Sequence, residues 1–285
     1  SINLSFPVLA TIIKYPHSST SGNKKDMGVS YKKFGYFQSE FESFDVIVNS
    51  LGMKINNKVR RHPLVFLLEA ADDIAYSVAD IEDGCKKGLI TLEVLKKKMY
   101  RYLDSSNPSE YEILSTLENI NVDPNYPQPL EVIASIFRIK IQNFMIDASI
   151  KAFINNHDKI LSGDFDMDLL DLSEAEGLKK AFKELGEILY NCKEVLKLEL
   201  TGDKIITVLL EEFTKAITSP KRSRKGSKEE KLYNLISSNY RFLMEKYSDS
   251  ENKLYNELRL ITDFICGMTD SYALDLYRSI TAINI

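Results

Sequence analysis

Asp72, Tyr76 and Asp80 stand four residues apart in a stretch whose apolar residues fall at 64, 67, 68, 71, 74, 75 and 78. That spacing is helical, and it sets the two acids and the tyrosine along one side of the helix, at the edge of its apolar stripe. A core helix has no use for carboxylates there, because burying an uncompensated carboxylate is costly. A carboxylate beside an apolar face, with an aromatic and a second acid in register, points to a site where a cation compensates the charge. The competing readings are a solvated helical acid for Asp72 and a core aromatic with a satisfied hydroxyl for Tyr76.

The elements that position these residues follow from punctuation in the chain. Pro63 suits a first helical turn, and Gly84 and Gly88 suggest where that helix frays and stops, so a central helix is predicted over 63–86. Upstream, residues 4–14 read as a short helix ending at Tyr15-Pro16, and the Ser-, Gly- and Lys-rich stretch 16–27 reads as a mobile loop. Ser39 is an N-cap candidate for a helix running to about Leu51-Gly52. Thr91 opens a lysine-faced helix, with a break at Ser105 to Pro108. Further helices are predicted at 130–155, 173–190, 203–217, 229–247 and 250–280. The proline-punctuated segment 121–129 marks a weak boundary within one continuous helical body.

Glu69-Ala-Ala-Asp-Asp-Ile-Ala-Tyr76, with Ala79-Asp-Ile-Glu-Asp-Gly84 and Gly88-Leu-Ile90, closely resembles the last metal-ligand helix of the deoxyguanosine triphosphate triphosphohydrolases, within the HD-domain phosphohydrolases. The C-terminal segment Gly267-Met-Thr-Asp-Ser-Tyr-Ala273 matches as well, and the resemblance runs from about residue 1 to 282. It implies an all-α fold, with 1–120 the later part of an HD-like helical bundle and 121–285 a helical C-terminal extension packed on it. It also implies hydrolysis of a deoxynucleoside triphosphate, dGTP first among the candidates, to the deoxynucleoside and inorganic triphosphate.

The resemblance further implies roles. Asp72, rather than Asp73, matches a ligand of a divalent metal, Mg²⁺ or Mn²⁺ or another transition metal. Tyr76 and Asp80 match positions that face the deoxyribose and its 3′-hydroxyl. Lys14-Tyr15-Pro16 and Lys33-Phe-Gly-Tyr-Phe37 resemble segments whose lysines meet the triphosphate, as mobile point charges suited to it; the bland alternative is a pair of surface lysines. Glu199 and the cluster Lys221, Arg222, Arg224 and Lys225 resemble regions near the nucleotide or at subunit contacts, or are a solvated charge run. An activating nucleotide and a homo-oligomer are implied in the same way, and the basic tract would also suit single-stranded nucleic acid.

Only the later part of the family pattern is matched. Two histidines, the aspartate of the His-Asp pair and the group assisting attack are expected upstream of Ser1, so the chain reads as a C-terminal fragment that is inactive by itself. The three histidines here are not in the required order. His157-Asp158 follows Asp72 instead of preceding it, and Asp164 to Asp168 imitates a calcium loop but has Leu169 and Ala175 where a glycine and an acid are needed.

The bulk composition excludes several classes. With 44% hydrophobic and 27% charged residues the chain is an ordinary globular sequence, and no apolar run approaches a membrane span. A net charge of −4 gives no global attraction to nucleic acid or anionic membrane. Three scattered cysteines without zinc spacing read as free thiols of a reducing, cytoplasmic compartment. Two readings remain open beside the triphosphohydrolase: another HD-type hydrolase, such as a nucleotidase or cyclic-nucleotide phosphodiesterase, and a non-catalytic helical module that binds nucleotide or nucleic acid.

Overall fold

The computed structural model describes residues 3–21, 27–120, 129–247 and 252–282. Among these the expected all-α class holds: thirteen α-helices, and one hairpin of two-residue strands. The chain divides into two compact units, residues 1–192 and 193–285. The units divide after residue 192, whereas the prolines suggest a boundary at 120/121. The proline segment 121–128 itself lies outside the described residues.

The first unit is built around α3 (Leu64–Lys86) and α6 (Pro129–Asn155), which pack on each other. Ile74, Val78, Ile81 and Cys85 of α3 share one buried cluster with Phe137, Ile141 and Met145 of α6. That shared apolar core is why the chain beyond 120 stays with the first unit. The same cluster takes in α4 (Leu92–Tyr102), α5 (Pro108–Asn119) and α8 (Glu176–Tyr190). α4 and α5 start on side-chain caps, Thr91 and Asn107, whose oxygens accept from the Val94 and Ser109 amides. Ahead of α3, α1 (Phe6–Ile12) and α2 (Phe41–Ser50) enclose a smaller cluster of Ala10, Phe44, Ile47, Val48 and Met53.

α3 ends as its glycines suggest, though each acts differently. Gly88 takes φ +69°, the left-handed cap geometry. Gly84 lies buried inside the helix, where a Cβ would come within 2.5 Å of Leu189 Cδ2. Its lack of a side chain lets α8 approach α3 closely. The apolar stripe is also rotated from its expected position. Val65, Phe66, Ala70, Ile74, Val78 and Ile81 are buried, whereas Leu64 and Leu68 are 47% and 45% exposed. Between α2 and α3, Lys54–Ile55 (β1) and Lys58–Val59 (β2) form an antiparallel hairpin the periodicity did not show. Its turn residues Asn56 and Asn57 both have positive φ, which asparagine tolerates better than most residues.

α7 (His157–Leu161) follows α6 and carries the His157-Asp158 dipeptide. In the second unit α9 (Lys193–Thr218) starts ten residues before its expected 203. It packs with α10 (Lys228–Leu235), α12 (Lys253–Cys266) and α13 (Asp270–Thr281) around Leu209, Phe213, Ile217, Leu260, Ile261 and Phe264. α11 (Ser238–Tyr247) lies against α12. The predicted helix 250–280 is two helices. Thr269 is extended and its side chain caps α13 by accepting from the Tyr272 amide, which turns the chain after Gly267.

Candidate functional site

Asp72, Tyr76 and Asp80 all line one groove of about 420 Å³ along α3. Ile81, Met145, Leu170 and Phe182 contribute to its apolar lining, and α8 supplies Lys179, Lys183, Glu187 and Tyr190. Asp72 is exposed, and among the described residues it has no hydrogen-bond or ion-pair partner. Tyr76 is 69% exposed, which removes the reading of it as a core aromatic. Asp80 accepts a hydrogen bond from the Tyr190 hydroxyl across the groove. That bond is the main reason the Tyr190 phenol titrates above its ordinary value.

Next to Asp72 lies a network of opposite charges. Asp73 is 3.9 Å from Lys179 Nζ, which also pairs with Asp171 at 2.7 Å and Asp168 at 3.5 Å. Asp168 lies 3.6 Å from Lys32. Burial raises the Asp73 carboxyl above the usual aspartate value, with Asp168 and Glu69 adding to the rise against Lys179 and Lys14. Burial works against ionised Asp168 too, but Lys179 and Lys32 outweigh it and hold that carboxyl below the usual range. Lys179 titrates above the ordinary lysine value, because its carboxylate partners outweigh its burial.

Lys14 is tied to the same side of α3. Its ammonium is 3.1 Å from Glu69 Oε1, and Glu69 is clamped by Arg61 through Nη1 at 2.7 Å and Nη2 at 3.3 Å. Arg61 Nε donates to the Lys14 carbonyl at 2.9 Å, and its guanidinium lies 5.6 Å from the Tyr15 ring and 5.5 Å from the Phe66 ring. Burial disfavours the Lys14 charge, yet Glu69 outweighs this and the ammonium titrates above the ordinary lysine value. Lys33 is exposed, while its neighbour Lys32 is the lysine that pairs with Asp168.

The structure thus gathers Asp72, Tyr76 and Asp80 in one groove and fixes Lys14 and Tyr15 to the start of the same helix. It does not bring Lys33 into an ion pair. Glu199 and Arg222 belong to the second unit: Glu199 is exposed on α9, and Arg222 is held by Glu257 at 2.9 Å and by the Ile217 carbonyl at 2.9 Å. Lys179, Lys183, Tyr190, Arg61 and Glu69 are the site residues that spacing did not single out. Tyr190 stands more than a hundred positions from Asp80, and Lys179 as far from Asp73, so no local pattern announces these two pairings. Arg61 and Glu69 were closer at hand, since an arginine before a helix and an acid in its second turn is a pairing that sequence can suggest.

The two imitations of metal motifs are also resolved. His157 is exposed and pairs with its neighbour Asp158 at 3.1 Å. Asp166 accepts from the Ser30 amide at 3.0 Å and hydroxyl at 2.9 Å, and so ties two distant loops together. Among the described residues, no three His, Cys, Asp or Glu side chains come together as a metal-holding group. Asp72 offers one hard oxygen donor, the right chemistry for Mg²⁺ or Mn²⁺, but not a complete shell. Among the described residues, no helix is long and apolar enough to cross a membrane.

Residues 173–279 match the phosphohydrolase-associated domain. The chain is 35% identical over 290 residues to a deoxyguanosinetriphosphate triphosphohydrolase-like protein of Listeria monocytogenes, covering 99% of this chain and 61% of that protein. A protein of the same description from Synechocystis is 27% identical, covering 100% of this chain and 61% of the relative. A deoxyguanosinetriphosphate triphosphohydrolase of Klebsiella pneumoniae is 29% identical over 314 residues, covering 99% and 61%. The matched domain lies in an all-helical chain. Along nearly its whole length the chain is similar to proteins named deoxyguanosinetriphosphate triphosphohydrolase or triphosphohydrolase-like, and it spans about three fifths of their length.

Proposed function

We propose that the whole protein hydrolyses a deoxynucleoside triphosphate, dGTP first among the candidates, to the deoxynucleoside and inorganic triphosphate. The observation that carries this reading is the groove in which an unpartnered Asp72, an exposed Tyr76 and a Tyr190-bound Asp80 lie on one helix face. Asp72 would contribute one oxygen ligand to a divalent metal, Mg²⁺ or Mn²⁺. When bound, that ion supplies the Lewis acidity that makes water nucleophilic towards the α-phosphorus. Tyr76 packs on the deoxyribose, and Asp80, oriented by Tyr190, accepts the 3′ O–H. Lys14, and Lys33 in the flanking segment, neutralise phosphate oxygens as charge shifts to the leaving triphosphate.

The same proposal includes a cytoplasmic enzyme that self-associates and answers to an activating nucleotide. These features rest on the resemblance. The exposed Lys221, Arg224 and Lys225 would suit such a polyanion, or single-stranded nucleic acid.

The test is an assay of the whole protein on each of the four dNTPs with Mg²⁺ or Mn²⁺, resolving triphosphate from orthophosphate. Triphosphate is the expected product, and orthophosphate would move the reading to a nucleotidase. Asp72→Ala is expected to lower metal-dependent turnover by a factor of at least about 10² with an unchanged melting temperature, since it removes an exposed, unpaired group. Wild-type turnover in that variant would overturn the ligand assignment.

A further inference from the structure

Lys14, Glu69 and Arg61 form a cluster whose charges do not cancel. The Arg61 guanidinium, with its side chain 2% exposed, already meets both oxygens of Glu69, which is 9% exposed. A bidentate fork of this kind satisfies a buried carboxylate without further help. Lys14 is a third member, at 3.1 Å from Glu69 Oε1 and with its side chain 34% exposed. The cluster therefore carries one positive charge more than it needs, and that charge is the one nearest solvent. The backbone beneath it is fixed as well, because Arg61 Nε holds the Lys14 carbonyl. Arg61 cannot swing away without leaving Glu69 buried and unpaired, which is costly.

We propose that Glu69, clamped by Arg61, is a positioning residue that presents the Lys14 ammonium to the phosphate chain of the substrate, and that Lys14 turns from Glu69 to a phosphate oxygen when substrate arrives. The inference rests on the reading of Lys14 as a triphosphate ligand and adds what holds it there. Three features favour the exchange. Glu69 keeps both Arg61 bonds when Lys14 leaves, so no buried group is orphaned. The Lys14 backbone stays pinned, so the ammonium moves on its own stem over a short arc. Glu69 also keeps the ammonium charged to higher pH, so it meets an anion as a cation.

Inorganic triphosphate serves as the probe, its binding to the chain measured by titration calorimetry across pH 7 to 11. Wild type is expected to bind it, and Lys14→Ala to lose most of that binding. Glu69→Gln keeps the shape and removes the charge. It is expected to weaken binding about tenfold, roughly one charge-assisted hydrogen bond's worth of orientation. It should also move the alkaline limb of the binding curve to lower pH, which a purely structural change would not do. Glu69→Asp, which restores the charge on a shorter stem, is expected to recover part of the affinity and return the limb towards its wild-type position. Circular dichroism of each variant separates loss of fold from loss of position. If Glu69→Gln is folded and binds triphosphate as wild type does, with an unmoved alkaline limb, Glu69 does not position Lys14. If wild type and Lys14→Ala bind alike, Lys14 is not a phosphate ligand, and the proposed function loses that residue together with this inference.

Discussion

Each of the two units contains a buried glutamate held by an arginine that also lies over a tyrosine, and the two arrangements do different things. In the first unit Arg61 clamps Glu69 through two nitrogens, spends its third on the Lys14 backbone, and leaves the Lys14 ammonium as surplus. In the second, Arg222 lies 5.2 Å from the Tyr233 ring and divides one nitrogen between Glu257 and the Ile217 carbonyl. Among the described residues no lysine joins that pair. It fastens α12 to the turn after α9, within a wall of apolar packing. The two sites are similar in composition and differ in what is left over: the first has a cation facing a groove-bearing helix, while the second is consumed by its own structure. Arg222 is engaged within its own unit, and its neighbours Lys221, Arg224 and Lys225 in the basic tract are exposed.

The most severe way to break this comparison is Arg61→Ala. It strands Glu69 in the interior and frees the Lys14 backbone, so it should cost the first unit about 3–5 kcal/mol. Scanning calorimetry should show this as a lowered transition with the second unit's transition unmoved. A loss below about 1 kcal/mol would mean that Glu69 finds water or another partner. Arg222→Ala should have the smaller effect, about 1–3 kcal/mol and confined to the second unit, because Arg222 is 23% exposed, against 2% for Arg61, and meets its glutamate through one bond rather than two. An equal or larger loss there would erase the distinction drawn above.

The smallest effect is a titration. Cys85 is pushed from 9.0 to about 11, burial first and Glu82 second. Its folded value is raised, so its contribution to stability is complete below pH 9 and is lost as pH rises towards 11. Lys14 and Lys179 are also raised, from 10.5, so their contributions are complete below pH 10.5 and are lost above it. Urea midpoints of the first unit should therefore fall in two stages from pH 9 upward. Cys85→Ala should remove the earlier stage and leave the later one.

Much of this arrangement was legible before any coordinates. Pro63, the helical period and Gly88 marked out α3, and the four-residue spacing placed Asp72, Tyr76 and Asp80 on one side of it. The apolar residues of that helix misled about its facing, since Leu64 and Leu68 lie on the open side with Asp72. A helix that is apolar around more than half its circumference does not declare which side is inside. The prolines near 121–129 suggested a boundary, but boundaries follow shared cores, and α6 shares its core with α3. The break between α12 and α13 was written in Gly267 and the capping Thr269, within a segment that carries part of the resemblance. The pairings of Lys179 with Asp73 and of Tyr190 with Asp80 had no local signal, because they exist only once α8 is brought against α3.

That closeness of α8 to α3 has a further use. Cys85 adjoins Gly84 at the point of contact and is 2% exposed, whereas Cys266 is exposed. A thiol held that far above neutrality, and covered by packing, reacts with alkylating reagents only when the surrounding helices part. Cys266 needs no such event. The chain thus carries its own stopwatch and its own control: the lag of Cys85 behind Cys266 times how often the wall of the groove opens, with no label added.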